Sequence, residues 1–370
     1  MNLHIQHQDV YRRQGSYAPF PVAELLADGR LALAFPSNDG PYQDHGFAYD
    51  WNVRVSADGG QRWTVPAADD FSIPYNWPGT APRERWDRFA RRMPDGSLLA
   101  AGAPGWVVVP EAQREALEAR GLLLLPHPSR DGSLAMVAEN KVFVQRSRDG
   151  GASWQRQEWE VPGAYRLTGF PRPAVLADGT ILVPLYDEHA RLERRDLDRC
   201  WLLRSADGGA TWRLRLMGQD HHAGWGNELA LVEVAPGRVL AHLRHVPPGF
   251  LVESWSDDGG LSWSQPLRTQ IWGYPPHLLK LQDGRILCTY GHRRQPLGVQ
   301  AVISQDGGVT WDVAHPAILR GDGEVSEGRE VRDLGYPVSI QLPDGSLFTA
   351  YYMTLGGVTH VAASRWELPW

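Results

Sequence analysis

Ser205-Ala-Asp-Gly-Gly-Ala-Thr-Trp212 decides the fold, because the chain writes it five times. The other copies are Ser56–Trp63, Ser147–Trp154, Ser256–Trp263 and Ser304–Trp311; each keeps Ser first, Asp third, Gly fourth and fifth, and Trp eighth. Each follows an apolar or alternating run such as Trp201-Leu-Leu-Arg204 or Val299-Gln-Ala-Val-Ile303, so the pattern reads as strand, tight turn, strand. Asp can accept hydrogen bonds from the N–H groups of its own turn. The paired glycines can take positive φ without a Cβ clash, and the closing Trp fills space between neighbouring sheets. A single Asp-Gly turn means little, but five in register indicate a repeat architecture.

A second repeat runs ahead of the first: a strand, a turn and another strand. Its copies are Tyr17–Phe35, Phe89–Gly102, Phe170–Asp187, Asn227–Arg244, Tyr274–Gly291 and Tyr336–Tyr352. Their turns are Asp28-Gly29, Asp95-Gly96, Asp178-Gly179, Pro236-Gly237, Asp283-Gly284 and Asp344-Gly345. Alternating the two repeats predicts an all-β protein: a six-bladed β-propeller of four-stranded antiparallel blades, one unit over residues 1–370. The sixth unit has no Ser-to-Trp box, and only Thr359–Glu367 follows Tyr352 as strand. The N-terminal run Leu3–Tyr11 is therefore expected to supply the missing strand and close the ring, which removes an exposed edge. Residues 65–88 and 104–134 read as loop insertions. The second contains Pro110-Glu-Ala-Gln-Arg-Glu-Ala-Leu-Glu-Ala-Arg120, a short helix with Gly121 after its end.

Composition agrees with this reading. The 370 residues include 16 Trp and 39 Gly, 42% are hydrophobic, and the net charge is −6. No basic run marks a nucleic-acid partner, and no apolar stretch approaches the roughly 20 residues that span a membrane. The start lacks the charged and apolar regions of a leader peptide, so a cytoplasmic location is expected as the chain is given; a secreted form with its leader removed stays open, as does the oligomeric state. Cys200 and Cys288 read as small buried hydrophobes. His221, His222, His242, His245, His277 and His292 have no recognised metal-ligand spacing, and neither a metal nor a cofactor is expected.

Both short turns of a unit follow odd-numbered strands, so they share one end of the propeller. The longer loops share the other, and loops carry function. Residues at the head of a first strand or the tail of a second strand then face a central cleft at the loop end. That places Arg88, Arg172, Glu228, Tyr274, His277, Tyr336, Asp187, His189, Arg244, His292, Arg293 and Arg294 there, with Asn38, Asp39, Asp44 and His45 in the blade-one loop. Cations, carboxylates, tyrosines and imidazoles converging on one cleft suit an anionic or heavily hydroxylated ligand, hence a carbohydrate partner.

The chain resembles the sialidase (neuraminidase) superfamily, whose boxes of this kind are called Asp boxes and mark the fold rather than the activity. Asn227-Glu228 through Arg244 resembles the family's Glu at the head of blade four followed by an Arg of its carboxylate-binding triad. Gly335-Tyr336-Pro-Val-Ser resembles its Tyr nucleophile at the head of the last blade. The resemblance implies Tyr336 as nucleophile, Glu228 as its base and Asp44 (with Asp39 as competitor) as acid/base for the leaving group. Arg244 with Arg294 or Arg293 would grip a carboxylate, and His45, His277 and Tyr274 would line the site. One departure stands out. The family opens blade one with Arg-x-Pro, whereas this chain has Ser16-Tyr-Ala-Pro-Phe-Pro21; Arg172, in Phe170-Pro-Arg-Pro173, looks alike but belongs to blade three.

The resulting expectation is a retaining exo-glycosidase on a terminal anionic sugar, sialic acid or a relative. A tyrosine is a neutral nucleophile suited to an anomeric carbon that bears a carboxylate. Two alternatives stay open: a lyase that eliminates uronic-acid glycans with His, Tyr and Arg in the same cleft, and a non-catalytic carbohydrate-binding propeller whose rim tryptophans (Trp51, Trp77, Trp86, Trp225, Trp272) stack on sugars.

Overall fold

A computed structural model describes residues 4–39, 50–67, 90–103, 106–122, 124–126, 132, 134–138, 141–151, 153–161, 167–168, 173–187, 199–219, 225–326 and 328–368. It is a six-bladed propeller. Blade four shows the plan: Asn227–Ala235, Arg238–Arg244, Phe250–Ser256 and Leu267–Trp272 pair in chain order, each antiparallel to the next. Blade five repeats it with Pro276–Lys280, Ile286–His292, Gly298–Ser304 and Ala317–Arg320.

The ring closes as the sequence predicts. Gly335–Gln341, Leu347–Leu355 and Val358–Trp366 form the first three strands of blade six, and Ile5–Tyr11 pairs antiparallel with Val358–Trp366 as the fourth. Ser16–Tyr17 then runs parallel to the third strand at Thr359 and antiparallel to Asn38 and Asp39 of blade one. This links the first and last blades through backbone hydrogen bonds as well as side-chain packing.

The box explains its own repetition. Ser205 Oγ donates to Asp207 Oδ1 at 2.7 Å and accepts from the Gly209 N–H at 2.8 Å. Asp207 accepts from the N–H groups of Ala210 and Thr211 and from the Thr211 hydroxyl. Gly208 and Gly209 have φ of 66° and 90°, values that L side chains rarely adopt. Trp212 then packs into a buried cluster built from blades two and three, with Leu99, Val144 and Ile181. Trp263 does the same between blades three and four, and Trp311 between blades four and five. Blade six lacks a box, and the buried Trp366 supplies the indole shared with blade five. Among the described residues the core is thus a series of inter-blade clusters running from blade two round to blade one.

One expectation needs correction. The segment around 104–134 holds the short helix (Glu111–Gln113 and Arg114–Glu118, with Gly121 at φ 77°), but it is more than a loop. Trp106–Pro110, Leu124–Pro126 and Leu134–Ala138 form a separate three-stranded sheet. The Val107-Val108-Val109 run has strand propensity, and the helix packs Leu117 against Val109 and Leu124.

Candidate active site

Among the described residues, three non-glycine residues have positive φ: Phe20 at 52°, Glu228 at 45° and Tyr336 at 48°. Such values are uncommon outside glycine. All three stand at the head of the first strand of a blade (one, four and six), and all three line the same central cavity of about 620 Å³. At Glu228 and Tyr336 the strand pairing slips, between Asn227 and Ala230 and between Gly335 and Val338. These bulges re-aim a side chain that regular pleating would place elsewhere. Gly335 (φ 112°) lies so near Gly291 that an added Cβ would stand 3.0 Å from the Gly291 Cα, so blades five and six touch backbone to backbone beside Tyr336.

One hydrogen-bonded line joins blades four and six beside the cavity. The Tyr336 hydroxyl donates to Glu228 Oε1, and Arg244 Nη1 donates to Glu228 Oε2 at 2.6 Å. Burial works to raise the Glu228 pKa. The Arg244 charge and hydrogen bond, the Tyr336 hydroxyl and Arg293 outweigh it and hold the carboxyl below its ordinary value. Burial, reinforced by the Glu228 charge, pushes the Tyr336 phenol above its ordinary value, while Arg244 and Arg293 pull the other way. At rest the proton therefore stays on Tyr336 and Glu228 is an anion.

Tyr274 is a shelf for the cations. Arg244 Cζ stands 4.5 Å from its ring centroid and Arg293 Cζ 5.0 Å, so two like charges are held against one aromatic ring. Arg293 is 8% exposed and also lies 5.9 Å from the Tyr336 ring. Its Nε donates to the Leu334 carbonyl, but its buried Nη2 has no hydrogen-bond partner. A buried guanidinium nitrogen without a partner is costly. Arg294 turns away: its guanidinium stacks 4.3 Å over Trp272 and its Nε donates to His292 Nε2.

His277 also lines the cavity, and its Nδ1 accepts from the Ser339 N–H at 3.4 Å. His292 is bound to the Pro296 carbonyl through Nδ1, and burial lowers its pKa. His242 is fully buried, 3.6 Å from the Cys288 thiol and away from the cleft. Asp187 accepts from Trp201 and is 2.7 Å from Arg199, so it belongs to its own blade. Asp44, His45, Arg172, Arg88, His189, His221 and His222, with Trp77 and Trp86, lie outside the described residues. Among the described residues no cluster of three or more metal-ligating side chains occurs.

Two parts of the site are missed by sequence reasoning. Phe20 packs edge-on against Tyr336 (centroids 4.7 Å apart, 69°) and Tyr352 (5.4 Å, 77°). Tyr352, fully buried, lies beneath the Tyr336 ring (5.8 Å) and donates to Asp333 Oδ1 at 2.8 Å. The available signal was positional: Phe20-Pro21 occupies the same place in blade one as Tyr336-Pro337 in blade six.

Residues 122–349 match the model of a family described as BNR repeat-like domain. A curated sialidase of Bacteroides fragilis (strain YCH46) is 23% identical over 211 residues. That match takes in 52% of this chain and 37% of the relative, so it spans little more than a third of the relative's length. Among solved structures, a protein of unknown function from Dyadobacter fermentans DSM 18053 is 24% identical with a TM-score of 0.72, covering 98% of this chain and 99% of that one. The NanB sialidase of Streptococcus pneumoniae is 14% identical with a TM-score of 0.60, covering 98% and 70%. The intramolecular trans-sialidase of Ruminococcus gnavus is 15% identical with a TM-score of 0.59, covering 98% and 96%. These structural likenesses establish a shared fold.

Proposed function

The chain belongs to the BNR repeat-like family, and from that membership we propose that it is a sialidase-like, retaining exo-glycoside hydrolase acting on a terminal anionic sugar, sialic acid or a chemical relative. The observation that carries this reading is the hydrogen-bonded line Tyr336–Glu228–Arg244.

A carboxylate on an anomeric carbon repels an anionic nucleophile, and a neutral phenol avoids that repulsion. As the Tyr336 oxygen bonds to the anomeric carbon, its proton passes to Glu228 Oε1 and the bond to the leaving oxygen breaks. The leaving oxygen takes a proton from a carboxylic acid, the role expected of Asp44. Water then attacks the same carbon from the vacated side, returns the proton to that carboxylate and expels Tyr336, which recovers its own proton from Glu228. Two displacements retain the configuration. Arg244 and Arg293 hold the sugar's acid group, Arg293 through its unpartnered Nη2.

A screen of aryl glycosides, including a sialoside, tests the reading alongside Tyr336→Phe. Hydrolysis of the sialoside lost in the variant supports it; hydrolysis undiminished there rules out Tyr336 as nucleophile. A uronate-lyase reading draws on His277, which lines the same cavity. It requires an unsaturated product that absorbs in the ultraviolet, which hydrolysis does not give.

A further inference from the structure

We propose that Tyr352 and Asp333 are positioning residues for Tyr336: the Tyr352 hydroxyl clamps the segment that leads into Tyr336 and so fixes where that ring points. The catalytic use of that aim rests on the glycosidase reading above, whereas the clamp itself is read from contacts within blade six and between blades five and six.

The chain enters blade six without a ladder to guide it. Residues 331–334 belong to no strand, and sheet pairing begins at Gly335, opposite Tyr352. The pairing then slips between Gly335 and Val338, and Tyr336, inside the slip, holds φ at 48°. A strained residue persists only where its surroundings over-determine it. Here each residue from Asp333 to Gly335 is fixed from outside the segment. Asp333 is held twice, by the Tyr352 hydroxyl on its Oδ1 at 2.8 Å and by the Thr354 hydroxyl on its carbonyl at 2.9 Å. Tyr352 and Thr354 stand two apart on one strand, so both face the same side. Leu334 offers its carbonyl to Arg293 Nε at 3.1 Å. Gly335 lies against the Gly291 backbone of blade five.

Tyr352 acts through both ends of its side chain. Its ring lies against Tyr336, with centroids 5.8 Å apart and planes inclined by 34°, and its hydroxyl reaches Asp333. Phenylalanine would supply the same ring. A buried hydroxyl is costly unless it is bonded, so the hydroxyl is accounted for by Asp333 and not by packing. The ladder from Gly335 to Gln341 forms through backbone groups, so this bond restrains the lead-in segment rather than the blade. Its loss removes one tie on Asp333 and lets the Tyr336 ring move relative to Glu228, which accepts from its hydroxyl. A misplacement of about 1 Å is enough to cost about a hundredfold in rate.

The test compares Tyr352→Phe, Asp333→Ala, Asp333→Asn and the unchanged protein. It measures backbone amide exchange in a peptide spanning residues 332–338 and steady-state kinetics on an aryl sialoside, with melting temperatures as the control for general destabilisation. Tyr352→Phe and Asp333→Ala should speed exchange in that peptide roughly tenfold, the effect of one hydrogen bond, without a matching change in the strands of blade four. They should lower kcat by about tenfold to a hundredfold while KM stays within about threefold, because the ring is misaimed and the sugar is still bound. Asp333→Asn, whose amide oxygen can still accept from Tyr352, should recover most of what Asp333→Ala loses. Unchanged exchange in Tyr352→Phe overturns the proposal. So does an unchanged kcat in Tyr352→Phe when Tyr336→Phe is inactive, a KM that rises as far as kcat falls, or an Asp333→Asn no better than Asp333→Ala. Full activity in Tyr336→Phe, or no turnover by any of these proteins, removes the nucleophile reading instead. Exchange then decides the clamp alone, faster exchange in Tyr352→Phe supporting it and unchanged exchange overturning it.

Discussion

The Tyr336 hydroxyl donates to the Glu228 carboxylate across 108 residues of sequence. Both residues head the first strand of their blades, and both hold a positive φ that side chains rarely adopt. Strain of this kind costs about 1–3 kcal/mol per residue, and here it aims two side chains from different blades at one point. Burial, reinforced by the Glu228 charge, keeps the proton on Tyr336, while Arg244 helps hold Glu228 as an anion ready to receive it.

Replacing Glu228 by Gln should therefore remove the proton acceptor without emptying the space. A loss of about 10²–10⁴-fold in kcat is expected, the usual range for a positioned general base. Steady-state kinetics on an aryl glycoside checks it, and a loss below tenfold would show that Tyr336 loses its proton elsewhere.

Arg293 and Arg294 are neighbours in sequence with opposite fates. Arg293→Ala should lower kcat/KM for an anionic substrate by at least about tenfold, because its buried Nη2 has no hydrogen-bond partner among the described residues and takes the acid group in the proposed reaction. Arg294→Ala removes a guanidinium stacked on Trp272 and should change kcat/KM by no more than about threefold, the scale of an exposed cation–π contact. Equal effects of the two would place the anion differently.

Stability should fall in two stages on acidification. Burial is the leading cause that lowers the pKa of His7, His242, His292 and His360 from 6.5 in the folded chain. Unfolded histidines then bind protons first, and stability declines as pH drops below about 6.5. Glu228 lies below its ordinary 4.5, and Asp207 and Asp258 fall to about 2. Their contribution is complete above the unfolded carboxylate range and is lost as pH falls from there through the folded values. Melting temperatures recorded between pH 7 and pH 2.5 should show both declines; a melting temperature constant down to pH 4 would contradict the histidine assignment.

Asp207→Ala should separate fold from chemistry. The substitution removes the acceptor for two backbone N–H groups and for the Ser205 and Thr211 hydroxyls. A cost of about 1–2 kcal/mol is expected from bonds that are largely exposed, read as a lower denaturation midpoint. Turnover of the folded variant should be unchanged, since the box lies at the end of the blade opposite the heads of the first strands.

The fold was legible because the box is a local structure that must be spelled the same way each time. Ser, Asp, two glycines and Trp each satisfy a separate physical demand, so five copies set the blade register, and the register put Glu228, Arg244 and Tyr336 together. The small sheet around the 106–138 segment was not legible, since its strands carry no box and resemble loop interruptions. Arg293 and Arg294 could not be told apart because they follow the last paired residue of a strand, His292, where alternation of faces no longer constrains direction. Phe20 carries no charge or hydroxyl that would single it out at the head of blade one, although its place ahead of Pro21 matches Tyr336 ahead of Pro337. Asp44, His45 and Arg172 lie outside the described residues, and their roles rest on the resemblance alone.

The most direct test of the account is covalent capture at Tyr336. A sialosyl fluoride bearing fluorine beside the anomeric carbon should form its glycosyl bond quickly and hydrolyse slowly, because the fluorine disfavours the positively charged transition state of each step. Mass spectrometry of the digested protein should then locate one added sugar on the peptide carrying Tyr336, with no adduct in Tyr336→Phe. Turnover of a sialoside with the adduct on another residue, or with inversion and no adduct, would contradict the assignment of Tyr336 as the nucleophile.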